Sequence, residues 1–445
     1  MAATDATVTD PTSREVRDAQ ISSLTGMRGF AALMVVLVHT AGKTEYPWLG
    51  VHGYGPIALF VLSGFLLYRP FGRWIMGWAP RPSLPGFAIR RVLRIFPAYW
   101  VTLHVWYFIY PKAVPDTFGE WIRDLTLVNT LQFFELTVGL EQAWSMGVEL
   151  TWYLALPILA IVLHGVVPRV PERHRLKAHV GILVAIFPVS VAYLAWAHQQ
   201  DVWDSAGMWL PRYLICFAFG ALIGLMMDAE RAGATDITRG RKIMTDPWLL
   251  PMLALVFAAV AISEWSGPVS FTKLTLTQEY VRDGAGLGLA GTLLIISVFS
   301  GPGAPLVRLL SSRVMQATGR WSYGIYLWHL PVITILAEDV TFQEGPQGLF
   351  FRLLWLLPIA YLLGAMSYAW VETPAMQWAK HLSKPYDGTA KTGGRRRSDI
   401  GPVVSEAPEM RDAVASEAPY SPDQSPSVDA AAPRDDSRGG PGAVQ

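Results

Sequence analysis

Two ionisable residues frame an otherwise apolar stretch, RGFAALMVVLVH, which runs from Arg28 to His39. Eleven residues make about three helical turns, so both side chains fall on one face, about 16 Å apart along the axis. Charge inside a membrane helix is costly and marks a functional site by default. A guanidinium can hold an anion, and a neutral imidazole can take or relay a proton. In a plainer account Arg28 snorkels to one membrane surface and His39 caps the far end. Other residues have to decide between the two.

Further polar groups recur at helical spacing. FAIRRVLRIFPAYW sets Arg91 and Arg94 three apart on one face, with Arg90 adjacent. Guanidinium forks match phosphate geometry, so together with Arg28 they are candidates to hold a multiply anionic ligand. A cluster of positive charge at the inner membrane surface is the simpler alternative. LFVLSGFLLYRPF places Ser63 and Gly64 mid-span, where small residues also serve close helix packing. AWSMGVELTWYLALP puts Ser145, Glu149, Trp152 and Tyr153 on one side of a helix. Glu149 is a candidate to orient or charge-stabilise a histidine. GRWSYGIYLWHLPV strings Ser322, Tyr326 and His329 at i, i+4 and i+7. Three polar groups on one stripe favour a lined cavity over three separate structural hydrogen bonds.

Other chemistries lack their signatures. Gly286, Gly288 and Gly291 fit G-x-G-x-x-G, but they lie inside an apolar helix with no preceding strand, so close helix packing explains them better than nucleotide binding. There is no H-E-x-x-H, G-x-S-x-G or P-loop. The single Cys216 excludes an intrachain disulfide and a cysteine-based metal site; no metal is expected.

The elements that must position these residues follow from composition. Of 445 residues 52% are hydrophobic and 16% charged, against about a quarter charged in soluble proteins; the mean hydropathy is +0.30. The fold class is an all-α polytopic membrane protein, a bundle of about ten transmembrane helices with a disordered cytoplasmic C-terminal tail. The apolar segments are 24–42, 54–72, 93–111, 144–165, 179–198, 209–227, 247–264, 284–300, 317–337 and 350–371. The 18 Trp and 16 Tyr suit interfacial belts. A net charge of +1 implies no nucleic-acid partner. Residues 1–20 are polar, and no small-residue cleavage site follows the first apolar run, so that run is expected to remain as a helix. Connections on the N-terminal side carry 17 Lys and Arg against 5 on the other, which predicts both termini to be cytoplasmic. The membrane domain is expected over 21–375. The loop 112–143 is expected to hold a short interfacial helix. Residues 385–445 are rich in Pro, Ser, Ala, Asp and Gly, with two aromatics, Tyr386 and Tyr420; such a tail cannot bury a core. Its Arg395–Arg397 run is either solvated or in contact with anionic lipid.

Taken in order, these motifs resemble acyltransferase family 3, the integral-membrane O-acyltransferases of bacterial surface glycans, peptidoglycan, glycolipids and macrolides. The resemblance covers about residues 20–375. It rests on R-x10-H at Arg28 and His39, on FxLSGF ending at Ser63-Gly64-Phe65, and on R-x-x-R at Arg91 and Arg94. WSMGVE ending at Glu149, SYGIYLWHLP around His329 and a closing VETP at Glu372 complete it. Met146 and Gly147 depart from the larger residue usual before the glutamate, and no appended esterase-like domain is expected. The resemblance implies a multi-pass protein of a bacterial plasma membrane. It implies no permanently bound cofactor, and acyl-CoA, with acetyl the conservative choice, as donor substrate. The donor's phosphates would lie near Arg91, Arg94 and Arg28, with Arg90 beside them. His39 would be the general base. Tyr326, Ser63 and His329 are the oxyanion-donor candidates, and Glu149 would fix the His39 tautomer or stabilise its charged form. The acceptor would be a hydroxyl of an extracytoplasmic glycan, glycolipid or macrolide sugar. Direct transfer and an acyl-histidine intermediate both stay open. A transporter or flippase is the competing class; the chain lacks the internal repeat many transporters carry.

Overall fold

In a computed structural model the described residues are 11–41, 54–132, 135–200, 203–267, 274–339 and 346–388. The chain divides into two units, Met1–Gly401 and Pro402–Gln445. The second unit lies outside the described residues, and with it most of the tail expected to be disordered.

The described residues of the first unit are helical throughout and contain no strand. In chain order the helices are α1 Pro11–Ala41, α2 Tyr54–Ile75, α3 Leu84–Ile109, α4 Phe118–Thr126, α5 Trp144–Val166, α6 Glu172–His198, α7 Trp203–Ala206 and α8 Leu210–Arg231. There follow α9 Thr238–Met244, α10 Leu249–Ala261, α11 Leu276–Phe299, α12 Pro305–Leu310, α13 Arg313–Asp339, α14 Pro346–Ser367 and α15 Thr373–Gly388. Eight helical stretches are long and apolar enough to cross a membrane, and a ninth crossing is made if α9 and α10, bent by 57°, count as one. The 27-residue α13 is about 40 Å long, enough to span. Its polar stripe keeps it out of the apolar set, and this accounts for the tenth segment expected from the sequence.

Several helices start earlier than their apolar runs. α3 begins at Leu84, nine residues before the hydrophobic segment expected at 93. Ser83 caps its N-terminus by accepting from the Gly86 N–H, and Pro85 occupies the first turn. Arg90, Arg91 and Arg94 therefore lie within α3. A hydropathy window stops at charge, whereas a helix continues wherever its backbone bonds and caps are satisfied. At the other end α14 passes through one π turn, Tyr368–Glu372, into α15. The helix thus runs to Gly388, past the boundary expected at 375.

The bundle is drawn together by small residues. A Cβ on Gly64 of α2 would collide with the backbone of Phe217 on α8, and one on Gly220 of α8 with the backbone of Val61 and Phe65. α1 crosses α13 as closely, since a Cβ on Gly29 would lie 2.7 Å from the Gly319 nitrogen. Without a hydrophobic force between helices in lipid, such close backbone contact supplies the attraction. The glycines of the rejected nucleotide motif serve the same purpose. Gly288 and Gly291 of α11 face the rings of Phe257 and Phe219.

The loop 112–143 contains the expected short helix. α4 opens with a reciprocal cap between Thr117 and Glu120. Its Asp124 is buried and accepts from the Tyr107 hydroxyl of α3. Tyr99 donates to the Asp124 carbonyl at 2.7 Å, which ties the loop to the bundle.

Candidate active site

The crossing of α1 and α13 brings His39 and His329 together. His329 Nε2 lies 3.1 Å from His39 Nδ1, and the ring centroids are 5.0 Å apart. His329 is fully buried, and its Nδ1 lies 2.7 Å from the Tyr326 carbonyl. A carbonyl only accepts, so that nitrogen carries the proton and Nε2 carries the lone pair. His39 Nδ1 faces both this lone pair and the Val35 carbonyl, the latter at 2.9 Å. Both partners require a donor. His39 is therefore protonated at Nδ1 when neutral, and its basic nitrogen is Nε2.

Glu149 lies on α5, and its hydrogen bonds run elsewhere. Ser63 Oγ donates to Glu149 Oε1 at 2.6 Å and Tyr153 donates to the same oxygen at 2.7 Å. The His39 tautomer is thus set by His329 and Val35, and Glu149 ties α2 to α5. Tyr326 donates to the Gln142 carbonyl, and its oxygen lies 2.9 Å from Ser145 Oγ. Gln142 in turn donates to the carbonyls of Tyr326 and Leu327 at 3.3 and 3.0 Å. Ser322 is bonded within its own helix, to the Gly319 carbonyl. The protons of Ser63, Tyr326 and His329, the three candidate oxyanion donors, all point at protein acceptors in this arrangement.

The arginines gather on the other side of Glu149. Arg28 lies within electrostatic reach of Arg94, Glu149, Tyr153 and Arg91. The Arg91 guanidinium lies 5.8 Å from the centroid of Phe87 and 5.6 Å from that of Tyr153. Its Nε is buried without a hydrogen-bond partner. Arg94 donates to the Met376 sulfur at 3.1 Å. Among the described residues none of the three makes a salt bridge. Arg90 sits on the same helix but is not among the main charges acting on Arg28.

One carboxylate escaped the sequence reading. Glu372, noted there only as the end of a motif, is buried and accepts from Ser367 Oγ at 3.3 Å. It lies within electrostatic reach of Arg94 and Arg28. The π turn delivers it, and such turns cluster at functional sites. Its signal in the sequence was the one used for Arg28, an ionisable residue within a spanning helix. Gln142 and the Val35 carbonyl carried no comparable signal.

Arg28, Arg91 and Arg94 thus lie near one another and near Glu149 and Glu372, with no salt bridge among the described residues, while α1 and α13 carry a histidine pair. A family model described as an acyltransferase domain matches residues 21–371. The chain belongs to acyltransferase family 3. It is 22% identical over 372 residues to the peptidoglycan O-acetyltransferase OatA of Listeria monocytogenes, covering 80% of this chain and 55% of the relative. To the O-acetyltransferase OatA of Staphylococcus aureus it is 22% identical over 381 residues, covering 80% and 57%. To the acyltransferase MdmB of Streptomyces mycarofaciens it is 25% identical over 434 residues, covering 88% and 98%. The chain spans little more than half the length of the two O-acetyltransferases. No solved structure matches.

Among the described residues no group of three or more His, Cys, Asp or Glu side chains is placed to hold a metal ion. Cys216 is buried and unbridged.

Proposed function

We propose that the protein transfers an acyl group, acetyl in the simplest case, from acyl-CoA to a hydroxyl of an extracytoplasmic acceptor. That acceptor is a glycan, a glycolipid or a macrolide sugar; among the relatives, the names that specify a substrate specify peptidoglycan. The observation that carries the reading is the His39–His329 pair, which leaves a defined basic nitrogen, His39 Nε2, about three helical turns along α1 from Arg28.

In this reading both termini are cytoplasmic, and the donor enters from that side. Its phosphates meet Arg28, Arg91 and Arg94, half-buried charges that make no salt bridge among the described residues. Glu149 and Glu372 offset part of the positive charge while the site is empty. The acyl-pantetheine arm passes Glu149 toward His39. His39 Nε2 takes the proton of the acceptor hydroxyl as its oxygen attacks the thioester carbonyl. The C–S bond then breaks, and the thiolate recovers the proton from the His39 imidazolium. His329 accepts from Nδ1–H throughout and so disperses the charge that His39 gains. Donor and acceptor can approach from opposite membrane faces because the two groups are joined within one bundle.

The test is CoA release from acetyl-CoA by purified wild-type and His39→Ala protein, with an envelope extract as acceptor. Release that requires both His39 and the extract supports the reading, and mass spectrometry of the product names the acceptor. An absence of acetyl-CoA binding would turn the assignment toward a transporter.

A further inference from the structure

The arginine group does not exhaust the chemistry on the faces of α2 and α5. Toward the end of the bundle where α2 stops and α3 begins, the Trp74 indole stacks on the His164 imidazole. The centroids are 4.0 Å apart and the planes 16° from parallel. The Arg81 guanidinium, from the connection 76–83, lies 5.4 Å from the centroid of the Trp74 ring. Arg81 is exposed, while Trp74 and His164 are half-buried. An aromatic stack alone could be mere helix packing. Within the stack, however, His164 Nδ1 is buried without a hydrogen-bond partner. An orphaned buried polar atom is costly, and one on a stacked ring beside an exposed guanidinium suits a polar ligand with a flat ring.

The position of the stack matters as much as its composition. Ser63 and Trp74 are eleven residues apart on α2, as are Tyr153 and His164 on α5. Eleven residues are three turns, so each pair shares a face and is separated by about 16 Å along the axis. Between these levels lie Arg91 over Phe87 and Tyr153, and Phe71 edge-on to Phe87 at 5.5 Å. A lane of aromatic and basic side chains thus runs from Glu149, past the arginine group, to Trp74, His164 and Arg81.

We propose that Trp74, Arg81 and His164 form a subsite at the mouth of this lane for the purine nucleotide end of the donor. The inference rests on the donor reading above. The purine takes the face of Trp74 opposite His164, where base–aromatic stacking is favourable and sequence-tolerant. Arg81 turns from the ring to the nucleotide's phosphomonoester, which its fork fits in a bidentate way. His164 Nδ1 meets the polar edge of the ligand. Arg91 and Arg94, deeper in the lane, are left for the pyrophosphate. A phospholipid headgroup offers Arg81 the same phosphate chemistry but no purine to stack.

The experiment measures binding of adenosine 3′,5′-bisphosphate to purified full-length protein, in detergent and in nanodiscs of anionic lipid. It is paired with turnover of acetyl-CoA and of acetyl-pantetheine. Trp74→Ala is expected to weaken bisphosphate binding about tenfold or more and to raise KM for acetyl-CoA by a similar factor. Its effect on acetyl-pantetheine should be at least tenfold smaller, and Trp74→Phe should restore binding. Arg81→Ala should weaken adenosine 3′,5′-bisphosphate more than adenosine. Equal slowing of both donors by Trp74→Ala would overturn the subsite in favour of a packing role. So would bisphosphate binding that ignores Trp74, or that appears in detergent and vanishes against anionic lipid. Acetyl-CoA binding that depends on Arg91 but not on Trp74 removes the subsite alone, whereas wild-type protein that binds no acetyl-CoA removes the donor reading with it.

Discussion

His329 Nε2 lies 3.1 Å from His39 Nδ1, although 290 residues of chain separate them. The contact is made by side chains from α1 and α13, whose backbones meet at Gly29 and Gly319. One imidazole has its Nδ1 proton committed to a carbonyl, and its remaining lone pair orients the other. The arrangement has the logic of a nucleophile–base–orienter chain, with His329 in the orienting place.

Removing the base should separate chemistry from binding. His39→Ala is expected to lower kcat by about 10²- to 10⁴-fold, the usual contribution of a general base, with acetyl-CoA affinity retained. Transfer and binding measured side by side decide it, and undiminished transfer would reject His39.

His329→Ala should cost less, roughly 10- to 100-fold, in line with the loss of groups that orient a functional histidine. Val35 still holds His39 Nδ1–H in that variant, so residual activity is expected. The double variant with His39→Ala should be no worse than His39→Ala alone, and a double-mutant cycle measures this coupling.

The arginines should act on the donor. Arg91→Ala and Arg94→Ala each remove a charged hydrogen-bonding group worth about 1.5–3 kcal/mol. KM for acetyl-CoA should therefore rise about tenfold or more, with a smaller change in kcat. Steady-state kinetics with saturating acceptor provides the check.

Glu149→Gln keeps an oxygen that accepts from Ser63 and Tyr153 but removes a negative charge near Arg28. Donor binding should tighten, because one competing anion is gone. Glu149→Ala should instead leave Ser63 and Tyr153 without their acceptor and lower the thermal stability of the purified protein. Isothermal titration and a melting curve distinguish the two variants.

Asp124 makes a pH prediction outside the membrane. Burial raises its carboxyl above the usual carboxylate value, and hydrogen bonds from Tyr107 and Thr137 oppose the shift in part. The folded loop therefore binds the proton more tightly than the unfolded one. Its stabilisation is fully present below the unfolded value of about 3.9 and is lost as pH rises through the folded value. Asp124→Asn should remove that dependence. Hydrogen exchange of residues 111–132 against pH tests this, and an equal slope in both proteins would contradict it.

By itself the sequence determined the class of the protein and most of its candidate residues. Apolar runs of spanning length leave a chain little choice but helices in lipid, since every backbone group must be satisfied internally. Within such runs Arg28, His39, Glu149 and His329 stand out as costly exceptions. Only the tertiary structure decided which exceptions meet. Spacing placed Arg28 and His39 on one face, but the orientation of His39 comes from a histidine on another helix and a carbonyl of its own. Glu149, expected to serve the histidine, is instead held by Ser63 of α2 and by Tyr153 one turn along its own helix. Glu372 joins the arginines because one π turn shifts the register of its helix. Helical periodicity fixes neighbours within an element, whereas contacts between elements depend on crossing points where backbones can approach, and no single segment encodes those.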